Sequence, residues 1–321
     1  MTNKLLITGS TGFVGKQLLV KLIEDQNYNI NLLNRSVKTQ ISSCVSEFTV
    51  KDYSSLKHTH ECLSDVDTVI HLASRVHVMA ETESDPLLAF RKVNVDMTLH
   101  IARMAVSAGV RRFIFISSVK VNGEQTKPGR YFSAESIPAP IDAYGISKYE
   151  AEIGLKKIAS ETGLELVIIR PVLVYGPGVK ANFDTMMRWL TKGIPLPFGA
   201  INNKRSFVAV ENLVDLMITC IQHPAADGEV FLVSDGEDMS TSEVLKKLAL
   251  SLNVKSRLIK VPCVFLNILA GLIGKKKLSQ RVCGSLQVDI AKTCAVLNWK
   301  PIISTDLAFQ KTADHFLSER K

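Results

Sequence analysis

Lys4-Leu5-Leu6-Ile7-Thr8-Gly9-Ser10-Thr11-Gly12-Phe13-Val14-Gly15 decides how the rest of the chain is read. An apolar run of strand length stops at a glycine. Two more glycines follow at intervals of three, and Lys16–Glu24 then takes up helical spacing. Glycine lets a backbone approach a diphosphate closely, and a helix N-terminus presents free N–H groups and the positive end of its dipole to it. Three glycines at this spacing are weak evidence alone; their place between a first strand and a first helix is the context the motif requires. Gly9, Thr11, Gly12, Phe13, Val14 and Gly15 are therefore candidate dinucleotide contacts.

Outward from this stretch, Ile30–Leu33, Thr68–Leu72, Arg112–Ser117 and Leu166–Arg170 read as further strands, and Leu87–Ala108 and Lys148–Thr162 as helices. Continuous apolar strands alternating with helices indicate a parallel sheet covered on both faces, an α/β fold with a Rossmann-type doubly wound sheet. After Pro171 the pattern loosens into prolines, glycines and helical segments. Residues 1–170 are expected to form a dinucleotide-binding domain, with 171–205 and 237–321 forming a smaller, mostly helical substrate-binding lobe. Residues 206–236 are expected to return to the first domain, with Phe207–Val210 and Val230–Val233 joining its sheet.

The chain has 321 residues and a net charge of +8, with its Lys and Arg spread along the sequence and not gathered into a basic block. That balance suits acidic small molecules and gives no reason to invoke nucleic acid. The six cysteines show no metal-site spacing, so no metal is expected. With a start that runs directly into a strand, they point to a reduced, cytoplasmic protein. The apolar stretch Val261–Ile273 is too short to span a bilayer, so no integral membrane segment is expected; it reads as a buried or interfacial helix.

An acidic residue normally ends the second strand of an NAD-binding sheet, where it meets the ribose 2′-hydroxyl. Here the chain has Asn34-Arg35-Ser36. Without the acid a 2′-phosphate is not repelled, and Arg35 with Ser36 offers it partners, so the cofactor is NAD or NADP with NADP favoured. Asp52 and Tyr53, after the third strand, are candidate adenine contacts.

Ser117 and Ser118 end the strand Arg112–Ser117, at the carboxyl edge where such sheets bind ligands. Tyr144 and Lys148 are four residues apart and share one helix face, so the ammonium is placed to lower the phenol's pKa from about 10. Together they make a proton-transfer site for carbonyl chemistry, with Tyr144 moving the proton, Ser118 holding the oxygen and Lys148 tuning the phenol.

With these motifs in place the chain resembles the extended short-chain dehydrogenases/reductases, in particular their nucleotide-sugar epimerase/dehydratase branch. The resemblance covers almost the whole chain. It rests on Thr8-Gly9-x-x-Gly12-x-x-Gly15, His71-Leu72-Ala73, Asn94, Ser117-Ser118, Tyr144-x-x-x-Lys148, Arg170-Pro171, Tyr175-Gly176-Pro177, Arg205-Ser206-Phe207-Val208 and Leu297-Asn298-Trp299-Lys300-Pro301. It implies Ser118, Tyr144 and Lys148 as catalytic residues. Leu72, Ala73, Ser74, Asn94, Ser117 and Pro171 become candidate cofactor contacts, and Arg75, Asn182 and Arg205 candidate contacts to a nucleotide-sugar substrate. Asn94 is also expected to support the central helix, and Arg170 to brace a strand end. Relatives of this kind often dimerise through two helices, for which Leu87–Ala108 and Lys148–Thr162 are the candidates here.

Similar 4,6-dehydratases carry an Asp-Glu pair after the catalytic Ser or Thr, whereas Val119 and Lys120 follow Ser118. Elimination of water is therefore disfavoured. The resemblance implies hydride transfer at C4 of a nucleotide sugar, 4-epimerase-like on UDP-glucose or a UDP-N-acetylhexosamine. The close alternative is an NADPH-dependent 4-ketoreductase of a UDP-4-keto-6-deoxy-N-acetylhexosamine in surface-polysaccharide synthesis. It is favoured by Asn34-Arg35; Leu173 and Asn122, which replace an asparagine and a tyrosine many epimerases carry, leave the sugar contacts open. A 3β-hydroxysteroid or flavonoid-type reductase is a further alternative that would need neither Arg205 nor Asn182.

Overall fold

The computed structural model describes residues 3–35, 42–50, 61–76, 85–272, 274, 279 and 282–320. Strands β1 (Asn3–Thr8), β2 (Tyr28–Asn34), β3 (Val45–Thr49), β4 (Thr68–His71), β5 (Arg112–Ile116) and β6 (Glu165–Pro171) lie in one sheet. The strand Val230–Val233 completes it, giving the order β3-β2-β1-β4-β5-β6 and then that seventh strand. All its pairings are parallel. The order reverses between β1 and β4, so a crevice opens at their carboxyl ends, the place a doubly wound sheet offers a ligand.

The central strands are largely apolar because both faces are covered. Leu5, Ile7, Ile70 and Ile114 pack on one face with Leu18 and Leu22 of α1 (Phe13–Asp25). The alternate residues Leu6, Val69, Phe113 and Phe115 pack on the other with Ile101 of α3 (Met97–Ser107) and Leu155 of α4 (Ala143–Thr162). Each such buried side chain contributes roughly 1.5–3 kcal/mol of transfer free energy.

The helix expected over Leu87–Ala108 is interrupted. It begins as α2 (Pro86–Arg91), capped by the Asp85 carboxylate, passes through a π turn at Lys92–Asp96 and continues as α3. The π turn carries Asn94, whose amide donates to Ser147 Oγ and to the Arg75 carbonyl, both at 3.0 Å. Widened turns of this kind recur at functional sites.

Phe207–Val210 does not join the main sheet as expected. Strand β8 (Arg205–Ala209) pairs with β7 (Leu173–Tyr175) and with Asp238–Met239 in a separate three-stranded sheet. An aromatic cluster draws it there. Phe207 meets the Phe183 ring edge-on, and the Tyr175 ring stacks 4.7 Å from Phe309 and 5.3 Å from Phe183. Phe183 belongs to α5 (Asn182–Thr191), which packs against α7 (Thr241–Ser251).

The apolar stretch Val261–Ile273 forms α8 (Cys263–Leu272), and none of its residues is buried. The expectation of a buried helix fails there, which leaves the interfacial reading. Among the described residues no helix is long and apolar enough to cross a membrane, and no group of His, Cys, Asp or Glu is placed to hold a metal ion. Ser36, Asp52 and Tyr53, proposed from sequence as cofactor contacts, lie outside the described residues.

Candidate active site

A cavity of about 2730 Å³ runs along the carboxyl edge of the main sheet, from the turn after β1 to α5 and the segment 282–286. At its first end the three glycines have different reasons to be glycine. Gly9 has φ +76°, and a Cβ there would lie 2.6 Å from the Ala73 nitrogen; a Cβ on Gly15 would lie 2.2 Å from the Gly9 carbonyl oxygen. Gly9 is required where the β1 turn meets the backbone after β4, and Gly15 where α1 meets the β1 turn. Gly12 is not: its Cβ would meet only the Gly9 oxygen, at 3.3 Å. Gly12 occupies the N-cap of α1 without a capping side chain, so the first N–H groups of the helix remain for a ligand in the cavity that this loop lines. An open glycine face and an uncapped helix end fit a dinucleotide diphosphate.

Asn34 and Arg35 both line the cavity. The Asn34 side chain is committed elsewhere, accepting from Ser10 Oγ at 2.9 Å and donating to Glu47 Oε1 at 2.8 Å. Of the two, Arg35 is the exposed group at this end.

The opposite wall is built on α4. The Asp142 side chain caps this helix by accepting from the Gly145 N–H at 2.7 Å and is held by Lys120 Nζ at 3.1 Å, which places Tyr144 in the first turn. Lys120 also ion-pairs with Glu124 at 2.9 Å, so Asp142 and Glu124 share one cation. Burial raises the Tyr144 phenol to about 12, and hydrogen bonds from Ser118 and Ser74 work against that rise. Phe90 packs edge-on to the phenol ring, 6.1 Å between centroids.

Lys148 corrects an expectation. Its amine donates to the Ile116 carbonyl at 2.8 Å and lies 4.6 Å from the centre of the Phe115 ring. Burial lowers it to about 7, against a smaller opposing pull from Glu152. The sequence placed an ammonium beside the phenol to lower its pKa; burial of both groups dominates, the phenol rises, and serine hydroxyls supply the relief.

Glu152 is the residue sequence reasoning missed. It stands one turn beyond Lys148 and is fully buried against Arg170 on β6. Arg170 donates to it through Nε at 2.9 Å and Nη2 at 2.5 Å, and Ser117 Oγ donates to it at 2.5 Å. Arg170 also reaches Asn122 Oδ1 at 3.2 Å. This network ties α4 to the ends of β5 and β6 and so fixes Tyr144 and Lys148 relative to Ser118. Its only sequence signal is a continuation of the Tyr144–Lys148 spacing by four residues.

His71 is buried, with Nδ1 2.8 Å from Thr8 Oγ1 and Nε2 3.0 Å from Thr98 Oγ1. Burial, with a lesser push from Lys148, lowers it to about 3, so it is neutral at ordinary pH. Asn94 is fully buried behind the cavity, where it accepts from Ser74 Oγ at 3.0 Å and from the Arg75 N–H at 2.8 Å. It supports the wall, and Leu72, Ala73, Ser74, Ser117 and Pro171 form the surface in front.

The far end holds Arg75, Asn182 and Arg205, with Leu173 also in the wall. Arg205 donates to the Gly284 carbonyl at 3.2 Å, and Arg75 lies over the Phe90 ring at 5.5 Å. Asn182 opens α5 directly after Ala181, whose φ of +58° is a strained conformation for alanine.

Comparison with known proteins gives a consistent outcome. Residues 5–234 match the NAD dependent epimerase/dehydratase family. A UDP-glucose 4-epimerase of Vibrio cholerae is 45% identical over 318 residues, covering 99% of this chain and 96% of that protein. An N-acetyl-alpha-D-glucosaminyl-diphospho-ditrans,octacis-undecaprenol 4-epimerase of Escherichia coli is 28% identical, covering 91% and 89%. The crystal structure of a UDP-glucuronic acid 4-epimerase from Bacillus cereus with NAD superposes with a TM-score of 0.80 at 18% identity, covering 99% and 100% of the two chains.

Proposed function

The chain belongs to the NAD dependent epimerase/dehydratase family, and from that premise we propose that it inverts C4 of a UDP-hexose or UDP-N-acetylhexosamine. The observation that carries this reading is the convergence of Tyr144, Ser118 and the α1 glycine loop on one cavity that continues to Arg205 and Asn182. A nicotinamide dinucleotide, when bound, supplies a reversible hydride acceptor and, oxidised, a positive ring charge. Gly12, Thr11 and the α1 N-terminus would hold its diphosphate, Leu72 to Ser74 and Pro171 would border it, and Lys148 would hold its nicotinamide ribose.

The protein's own part is proton transfer and orientation. Tyr144 takes the proton of the C4 hydroxyl and returns it after the sugar has turned over. Ser118 holds the oxygen through both steps, and the Glu152–Arg170 network keeps the pair in register. A phenol at about 12 rests protonated, so the base form arises only in a loaded site. Arg75, Asn182 and Arg205 receive the nucleotide and sugar end.

A second reading is favoured by Arg35, the exposed cation at the adenosine end in a chain that lacks an acid after β2. This is an NADPH-dependent 4-ketoreductase of a UDP-4-keto-6-deoxy-N-acetylhexosamine. Purified protein is to be incubated with UDP-N-acetylglucosamine and, separately, with the 4-keto-6-deoxy sugar plus NADPH. Appearance of the C4 epimer without net cofactor turnover supports the first reading; NADPH consumption on the keto sugar alone replaces it with the second. We place the protein in the cytoplasm, as a homodimer through α3 and α4. A sedimentation experiment that shows a monomer removes the dimer.

A further inference from the structure

The cations of this chain are spread, but its carboxylates are not. From Val244 to Val288 there are nine Lys and Arg residues and no Asp or Glu, out of 39 cations and 31 acids in all. The remainder of the chain is therefore charge-balanced to within one, and this 45-residue segment carries the whole net positive charge. In the middle of it lies α8. Val264, Phe265, Ile268, Leu269 and Leu272 are each 56–80% exposed, and they stand at i, i+1, i+4, i+5 and i+8, a single stripe on one face. Ile259, just before the helix, is 54% exposed as well. Lys255, Arg257 and Lys260 flank it, all exposed and none ion-paired among the described residues.

We propose that α8 and its flanking cations are a docking surface for an anionic lipid bilayer, on which the helix lies in the interface with its exposed stripe among the acyl chains. A protein partner for a stripe of this size would ordinarily bring carboxylates to meet three unpaired cations. A bilayer with anionic headgroups meets the stripe and the cations at once, which is the pattern of an interfacial helix. The position has a consequence for the cavity. Cys263, the first residue of α8, hydrogen-bonds Cys283, and Val282 and Leu286 beside Cys283 line the cavity. Docking would set the sugar end of the active site at the lipid surface.

The test is co-sedimentation of the full chain with vesicles of phosphatidylcholine alone and of phosphatidylcholine with about a third phosphatidylglycerol. We expect binding to the anionic vesicles, weaker binding to the neutral ones, and release as salt is raised. The triple variant Phe265→Glu, Ile268→Glu, Leu269→Glu should lose about tenfold or more in partitioning while retaining the wild-type cooperative thermal transition, which shows that it folds. No sedimentation of the wild type, equal binding to both vesicle types, or a triple variant that still binds would each overturn the proposal. So would a wild-type dimer that the triple variant converts to monomer, since a second copy would then cover α8. The assay reads no turnover, so it is independent of which C4 reaction the site performs.

Discussion

The two ends of the cavity are built differently. At the dinucleotide end, backbone meets backbone: the Gly9 carbonyl lies where a Gly15 side chain would go, and His71 and Asn94 are buried with their polar atoms partnered. At the sugar end, Arg205 donates to the Gly284 carbonyl on the segment 282–286, and Ala181 holds a strained conformation beside Asn182. The first end has one arrangement available to it. The second is set by a few side chains on irregular backbone, which is where relatives on one fold acquire different substrates.

Gly15→Ala probes that difference most severely, because its Cβ has no space against fixed backbone. We expect loss of the folded state, seen as loss of the cooperative thermal transition. Gly12→Ala should fold, with dinucleotide affinity reduced. Equal behaviour of the two variants would mean the loop is not shaped for a ligand. Glu152→Ala leaves the Arg170 charge buried without its partner, a change that costs about 3–5 kcal/mol. A stability loss below about 1 kcal/mol by denaturant titration would show that the network does not hold α4.

Tyr144→Phe should reduce turnover by on the order of a hundredfold or more while dinucleotide binding stays near wild type. Wild-type rates would remove Tyr144 from the mechanism. At the sugar end, Arg205→Ala should raise KM by about tenfold with kcat little changed, the loss expected for one charge-assisted contact. An equal fall in kcat would move Arg205 from binding to catalysis.

The smallest effect concerns pH. His71 is held near 3 in the folded state, below the ordinary 6.5, so between those values the unfolded chain binds a proton that the folded one does not. Its contribution is complete above about 6.5 and is lost as pH falls toward 3. A His71→Gln variant should therefore show a flatter fall of Tm over that window than wild type. Parallel curves would mean that His71 titrates alike in both states.

What was legible in the sequence follows the same division. The β1 turn, the parallel strands and the Tyr144–Lys148 spacing are local patterns, and they place the fold and the reacting wall. Glu152 was not legible, because a carboxylate four residues after a lysine on a helix ordinarily reads as a solvated pair. Only the meeting of α4 with β6 shows it facing Arg170. The π turn at Asn94 was hidden for a similar reason, since the extra residue is drawn in by Ser74, Arg75 and Ser147 from elsewhere in the chain. The apolar pattern of strand β8 suits either sheet, and the choice is made by Phe183, which meets Phe207 and Phe309. The Tyr144–Lys148 spacing shows a neighbour and does not show burial, which dominates the phenol's pKa.

The most direct test of the central claim uses a UDP-hexose carrying deuterium at C4, incubated with the purified protein and no added reductant. The account predicts the C4 epimer with deuterium still on C4, because the hydride taken from the sugar returns to the same molecule. An epimer that has lost the label, or no epimer together with NADPH-dependent reduction of a 4-keto sugar, would contradict it.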